Sequence, residues 1–451
     1  MPVDTKHPEW EMHYPMWQKT RDAVRGSIYV KEKRQEYLPV PDAESNDDTV
    51  GSQTLRYRQY LKRALYTNFT GRTKAALVGA AFRKNPIFEL PNGLEYLEED
   101  ATGDGLGLVQ MAKDELSNLL ETGRAVLLVD YPQTEDGLTA EEVARLDLRA
   151  SIIPYTAEQC CNWKTENVRG RKLLTLCVLS EYYLEGGDEF GHEQKTQYRV
   201  LRLREDGYSQ QIYRDEEPYT DEFYPKKADG SVWDFIPLMF VGSKNNDSTV
   251  DDAPLSDEES CFITGQPTLF ITHNLSPEQF FEYNPDGIKL GSRAGHILGD
   301  TGSATLLQPN PNSLVMEAMK AKEGAMVAIG ARIITDRGNN ETAEGARIRF
   351  ASENSVLGDI VQNLSMAIQQ CLDWCGEFMG TAEDARFDIN REFYDKTVDP
   401  QLVMSMVTLM DRQIISDRDI FERLKAGGII DAARTLEDVR EELGDFSPLG
   451  S

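Results

Sequence analysis

Between Asn354 and Met379 apolar residues recur at three- and four-residue intervals: Leu357, Ile360, Val361, Leu364, Ile368, Cys371, Leu372, Cys375, Phe378 and Met379. This spacing predicts one amphipathic helix, roughly 39 Å long at the α-helical rise. Its other face carries Asp359, Gln362, Asn363, Gln369, Gln370, Asp373 and Glu377, and Gly380 supplies a stop. A second helix is predicted over residues 313–334, with Val315, Ala318, Met319, Met326, Ile329 and Ile333 on one side and Lys322 breaking the stripe. Gly324 and Gly330 lie inside it. Each costs up to about 1 kcal/mol against Ala, which points to a close helix neighbour. Between the two helices, Gly338, Asn339, Asn340, Gly345 and several acids read as a loop. The pattern alone describes a helical hairpin in a core.

Elsewhere the period changes. Two Trp and a Tyr within residues 10–17 predict a packed N-terminal arm, with a helix from about Pro15 to Val24 ended by Gly26. Residues 37–41 read as extended, because residues before Pro avoid the helical region. Residues 53–84 read as helix interrupted near Gly71, followed by a short strand at 87–91. A helix over 108–122 lies between Gly107 and Gly123, and 125–132 reads as a buried strand. Over 150–240 short alternating segments predict strands at 151–155, 173–184, 196–203 and 210–213, with another at 235–241. Residues 243–260 are acidic and read as a solvated loop. Residues 262–308 form a small extended module, and 381–451 turn helical again.

Composition narrows the function classes. In 451 residues there are 48 Lys and Arg against 76 Asp and Glu, a net charge of −28. Such a chain does not wrap nucleic acid, which needs a basic surface, although DNA can pass through an acidic channel without being gripped. The six Cys form no Cys-x-x-Cys pair, which predicts free thiols in a reducing compartment. No apolar run reaches membrane-spanning length and the N-terminus is polar, so the expectation is a soluble intracellular product.

Recognisable catalytic chemistry is missing from the motifs. The five His are scattered, and there is no HExxH, P-loop or Gly-x-Ser-x-Gly. Gly103, Gly105 and Gly107 precede a helix, as phosphate-binding loops do, but without the dinucleotide spacing or a leading strand. Cys371 and Cys375 share a helix face without further ligands nearby in sequence, so they read as core cysteines. Asp251 and Asp252 sit in a polar loop with no apolar wall to perturb them.

The order of short segments resembles a known family. The segments are His7-Pro8-Glu9-Trp10, Tyr37-Leu38-Pro39, Thr70-Gly71-Arg72-Thr73, Phe82-Arg83-Lys84-Asn85-Pro86 and Glu121-Thr122-Gly123-Arg124-Ala125. They continue with Phe262-Ile263-Thr264-Gly265-Gln266-Pro267-Thr268, Leu290-Gly291-Ser292-Arg293, Ala328-Ile329-Gly330-Ala331-Arg332 and Glu341-Thr342-Ala343. Together they cover most of residues 7–380, and the chain resembles the portal (head-to-tail connector) proteins of tailed bacteriophages, in particular a short portal group.

The resemblance implies an α+β, predominantly helical chain with wing, stem, clip and crown. Residues 1–245 would be the wing, helical over 1–149 and β-rich over 150–245. Residues 246–261 would be an acidic linker, 262–308 the clip, 312–334 a stem helix, 335–350 the tunnel loop, 351–380 the long wing helix and 381–451 a helical crown. The resemblance further implies a homododecameric ring at one capsid vertex of the virion, assembled in the host cytoplasm, through which double-stranded DNA is packaged and ejected. Its partners would be the large terminase subunit, head-tail adaptors and the major capsid or scaffolding protein. No catalytic residue, cofactor or metal is implied, and no membrane. One departure stands out. The family has an amphipathic stem helix before the Gly265-Gln266-Pro267-Thr268 segment, whereas here Gly242 to Ile263 is mostly acidic loop. Ala253-Pro254-Leu255 looks like the start of that helix and Glu258-Glu259-Ser260 like its end, with the middle missing.

Candidate DNA-channel residues are Lys320 and Lys322 on the first helix and Arg332, Arg337, Arg347 and Arg349 at or beside the loop. They equally suit pairing with Glu323, Asp336, Glu341 and Glu344. Two further readings remain open: a tail adaptor or collar protein, and a metal-dependent hydrolase using Mg²⁺ at the acidic loops.

Overall fold

The computed structural model describes residues 2–38, 55–66, 68–132, 148–168, 170–186, 191–255, 343–381, 383–391 and 416–426. It also describes short stretches at 145–146, 262–263, 268–272, 303–307 and 406–410 and scattered single positions. Helix accounts for 39% and strand for 28%, so the fold is a mixture in which helix exceeds strand without dominating it.

Helix α1 spans Pro8–Arg25, starting seven residues before the predicted Pro15. His7 caps it, its Nδ1 accepting the Glu9 N–H at 3.2 Å, and Glu9 and Glu11 complement the helix dipole. Pro15 lies inside the helix rather than at its start. The missing hydrogen bond is offset by packing: Trp10 stacks on Tyr14 at 4.3 Å, and Trp17 is fully buried. Helix α2 is Ser27–Glu32 and α3 is Leu55–Arg63. After β1 (Leu65–Tyr66), Asn68 caps α4 (Phe69–Ala81), accepting the Gly71 N–H at 2.7 Å. The predicted break is therefore at 64–68, and Gly71 belongs to the first turn of α4. Strand β2 is Ile87–Glu89.

Helix α5 (Leu108–Thr122) has the predicted bounds. Gly123 stops it in the left-handed region at φ 72°, and a Cβ there would lie 2.5 Å from the Asp252 carbonyl oxygen. Strand β3 (Arg124–Asp130) follows directly, buried from Arg124 through Val129, with β4 (Ser151–Thr156) on one side.

The β-rich part is an antiparallel five-stranded sheet in chain order: β5 (Cys160–Val168), β6 (Arg171–Gly186), β7 (His192–Arg204), β8 (Gly207–Arg214) and β9 (Glu217–Pro218). Strand β5 is absent from the sequence expectation. Only its first half, Cys160, Cys161 and Trp163, is buried, and the polar remainder lies exposed on the sheet edge, so no alternation marks it. Strand β10 (Leu238–Gly242) returns to pair with β3, which makes β3 the centre of a β10-β3-β4 sheet.

Strand β11 (Phe262–Ile263) pairs with β1, and β12 (Thr268–Thr272) pairs antiparallel with β13 (Ser303–Leu307). Helix α6 then runs from Ala343 to Met379. It begins eight residues before the expected start, so positions 343–350, read as the end of a loop, are helical. Gly345 reads as a loop residue in the sequence. One interior Gly costs only about 1 kcal/mol, and the flanking Ala343, Glu344, Ala346 and Arg347 favour helix. Strand β14 (Arg386–Asp388) pairs with β2, and α7 is Asp417–Ala426.

The largest hydrophobic cluster joins α5, the β10-β3-β4 sheet, one face of the five-stranded sheet and α6. The predicted face of α6, from Leu357 to Phe378, packs against β10, β3, β4, β14 and α5. Trp374, outside the predicted stripe, is also buried, 5.4 Å from Phe235. Each fully buried Leu or Ile contributes about 1.5–3 kcal/mol. The helix stops at Gly380 (φ 72°), whose N–H, with that of Thr381, bonds the Gly376 carbonyl.

Candidate functional site

Two limbs of the core meet among the described residues: an outgoing one that ends at Leu255 and a returning one that begins at Leu357. Leu255 is buried and its N–H donates to the Leu120 carbonyl at 3.2 Å. Leu357 is buried in the same cluster. Between these two positions in sequence lies the β12–β13 pair. The outgoing and returning limbs are tied to each other. Asn363 of α6 donates to the Gly242 carbonyl at 3.0 Å, and Asn246 donates back to the Asn363 carbonyl at 2.7 Å.

The segment 243–255, read as a solvated acidic loop, is strapped down along its length. The Asp251 carboxylate accepts the N–H groups of Lys244 and Asn245, and the Val250 N–H donates to Glu9 of α1 at 2.9 Å. Arg124 donates to the Ser248 carbonyl at 3.2 Å, and Ala253 is buried with Leu255. Residues 251–255 contain no helix. The reason the sequence misleads here is that acidic side chains satisfy backbone groups locally, leaving the few apolar residues free to reach the core. Asp251 is thereby committed to holding a turn.

Two ion-pair networks fix the flanking parts. Arg199 of β7 reaches Asp130 of β3 at 2.9 Å and Glu181 of β6 at 2.6 Å, and Tyr155 of β4 donates to Glu181 at 2.6 Å. Burial would raise the Glu181 carboxyl. Arg199 and the hydrogen bonds from Tyr155 and Gln197 outweigh that and hold it below the ordinary carboxylate value. This network joins the five-stranded sheet to the central one. Arg21 of α1 pairs with Glu121 at 2.9 Å and with Glu158, and Lys74 of α4 reaches Glu121 at 2.7 Å. Beneath them Glu115 is fully buried, its carboxyl pushed up to about 8 by desolvation.

The other candidates resolve into structural roles. Asp100 accepts the N–H groups of Gly103 and Gly105 at 2.8 and 2.9 Å, so an internal carboxylate occupies the donors a phosphate would use. Cys371 and Cys375 lie in the core and burial raises both thiols. A cleft of about 620 Å³ opens at the C-terminal end of α6, lined by Asp229, Asp373, Glu377, Glu383 and Asp384 with Lys227. Its negative field disfavours anionic ligands. Among the described residues no cluster of His, Cys, Asp and Glu fits a metal ion, and no helix is long and apolar enough to cross a membrane.

Of the proposed channel cations, Lys320, Lys322, Arg332 and Arg337 lie outside the described residues. Arg347 and Arg349 lie on the N-terminal part of α6. Sequence reasoning did not find the Arg199 network or the buried Arg124.

A protein-family model described as "Domain of unknown function (DUF4055)" matches residues 255–379, less than half of the chain. The match begins at Leu255 and ends with α6 at Met379. No curated protein matches the chain. Among solved structures, a chain of the virion of a native gene transfer agent (GTA) particle overlaps at a TM-score of 0.37 with 12% identity, covering 80% of this chain and 89% of that one. A chain from the neck of a native GTA particle computed with C12 symmetry gives 0.35 at 12% identity over 80% and 89%, and one from the neck of an empty GTA particle gives 0.34 at 12% over 80% and 90%. TM-scores below 0.5 do not establish a shared fold.

Proposed function

We propose that this chain is a structural conduit and not an enzyme: a portal-type subunit of a tailed-phage particle, assembling as a ring through which double-stranded DNA passes. The observation that carries the reading is the shared root of the two limbs. The chain is tethered to the core at Leu255 and again at Leu357, and Asn246 and Asn363 tie the limbs side by side. A wing that holds both ends of a projecting stem and clip needs this kind of root, and the ordered segments that resemble portal proteins put the stem and clip in this interval. In this reading residues 262–308 dock the large terminase subunit during packaging and a head-tail adaptor afterwards. The stem and tunnel loop line the channel, and the ring sits at one vertex of the virion, against the capsid or scaffolding protein. The net charge of −28 suits such a channel, since a basic wall would hold phosphates and slow the duplex. Twelve copies are expected from the resemblance.

Negative-stain electron microscopy of the purified full chain tests this directly. Rings with a central hole are expected. A strictly monomeric particle across all salt conditions would refute the portal reading. The adaptor alternative is separated by a pull-down: recovery of the large terminase subunit through residues 262–308 excludes it.

A further inference from the structure

A buried cation lies beside two buried thiols. Arg124 is 1% exposed, and its guanidinium is held between the rings of Trp163 and Phe240, 4.2 Å from each centroid. Nη1 donates to the Ser248 carbonyl, while Nε and Nη2 make no hydrogen bond. Among the described residues no carboxylate pairs with it. A buried charge without a counterion is costly, and any neighbouring group able to ionise relieves it. Cys160 and Cys177 supply such groups: both are fully buried, with their sulfurs 3.8 Å apart.

Local strand geometry brings the two thiols together. The register between β5 and β6 shifts between Cys160 and Asn162, so Cys161 is the extra residue of a bulge. Cys161 joins Val178 and Val200 on one face of the sheet. Cys160 and Cys177 share the other face with Trp163 and Leu179. The hydrogen bond from Cys177 lowers the Cys160 thiol, burial opposes this, and the Arg124 charge lowers it further; burial raises Cys177. Cys160 is thus the more acidic thiol of the pair, and Cys177 the less acidic. No comparable cation acts on Cys371 or Cys375, whose thiols burial raises.

We propose that Cys160 and Cys177 are a reversible redox pair that closes to a disulfide on contact with a hydroperoxide, stapling β5 to β6. The Cys160 thiolate attacks one peroxide oxygen, the O–O bond breaks, and a sulfenic acid forms as hydroxide leaves and takes up a proton to become water. The Cys177 sulfur then attacks the sulfenic sulfur. The S–S bond forms, the S–O bond breaks, and the departing hydroxide leaves as water with the Cys177 proton. Two electrons pass from the pair to one hydrogen peroxide, which becomes two waters. Access runs through the N-terminal arm over the β5 edge. His7 stacks on Trp163 at 3.9 Å and its N–H donates to the Cys161 carbonyl, while Asn162 donates to the Thr5 carbonyl. Lifting so short a segment is a low-energy local opening. The pair behaves this way whether or not the chain forms a ring.

The test uses the reduced full chain, exposed to hydrogen peroxide in native buffer, alkylated, digested and mapped by mass spectrometry without reduction. The expected product links the Cys160 peptide to the Cys177 peptide, consumes two of the six thiols and is reversed by dithiothreitol. The link persists in Cys161→Ser and is lost in Cys160→Ser. Arg124→Met slows its formation, because the cation that favours the Cys160 thiolate is gone. Three outcomes overturn the proposal: a native chain that keeps all its thiols while the urea-unfolded chain loses them, a link made through Cys161, or over-oxidation of Cys160 without a link. The wild-type map and the cysteine variants decide the matter even if Arg124→Met does not fold.

Discussion

Glu115 gives the sharpest quantitative prediction. It lies on the buried face of α5 and is 2% exposed. One carboxyl oxygen accepts from Asn118 at 3.0 Å and the other has no partner. Desolvation moves its pKa from 4.5 to about 8, so the folded chain holds a proton that the unfolded chain has released. The sign follows from linkage. Below about pH 4.5 both states are protonated and the stabilisation is complete. It is lost progressively as pH rises towards 8. At 1.36 kcal/mol per pK unit, the two units between pH 5 and pH 7 remove roughly 3 kcal/mol. Glu115→Gln keeps the oxygen that faces Asn118 and removes the titration. Its extra amide N–H group carries a pH-independent cost of about 1–3 kcal/mol if left unpaired. The slope rather than the offset is therefore diagnostic. Urea unfolding followed by tryptophan fluorescence at pH 5, 6, 7 and 8 measures it. The difference between variant and wild type should move by roughly 3 kcal/mol in the variant's favour between pH 5 and 7. Parallel stability curves would refute the assignment of a protonated Glu115.

Three further outcomes are expected. Leu364→Ala, at a fully buried position of α6, should cost about 3–5 kcal/mol in urea unfolding, whereas Met366→Ala, 58% exposed, should stay within about 0.5 kcal/mol; similar losses at both would deny the assigned face of the helix. Arg199→Met strands Asp130 and Glu181 and should cost about 3 kcal/mol, with hydrogen exchange rising at the joint between the two sheets; unchanged protection there would remove the network's role. Arg337→Glu combined with Arg347→Glu should leave ring assembly intact and lower the DNA packaged or retained, and packaging at the wild-type level would sink the proposed loop–DNA contact while leaving the ring reading standing.

The elements legible in advance share a property: their burial repeats with their own period. The face of α6 from Leu357 to Phe378 was readable because a helix buries every third or fourth residue whatever it packs against. The C-terminal bound of α5 is readable because Gly123 ends it in the left-handed conformation. The same local logic failed at Gly345 and Pro15, where a turn of surrounding helix outweighs one unfavourable residue. It also failed at β5, whose edge position leaves half the strand exposed and erases alternation. What only the tertiary structure decided is non-local. The strap of 243–255 across the core depends on Leu120, Glu9 and Asn363. The joint between sheets depends on one arginine meeting carboxylates from two other strands. The neighbourhood of Arg124, Cys160 and Cys177 depends on a one-residue bulge and two aromatic rings from separate strands. Polar groups take their partners from wherever the fold delivers them, so their pairing carries no period along the chain, whereas apolar burial on a single helix does.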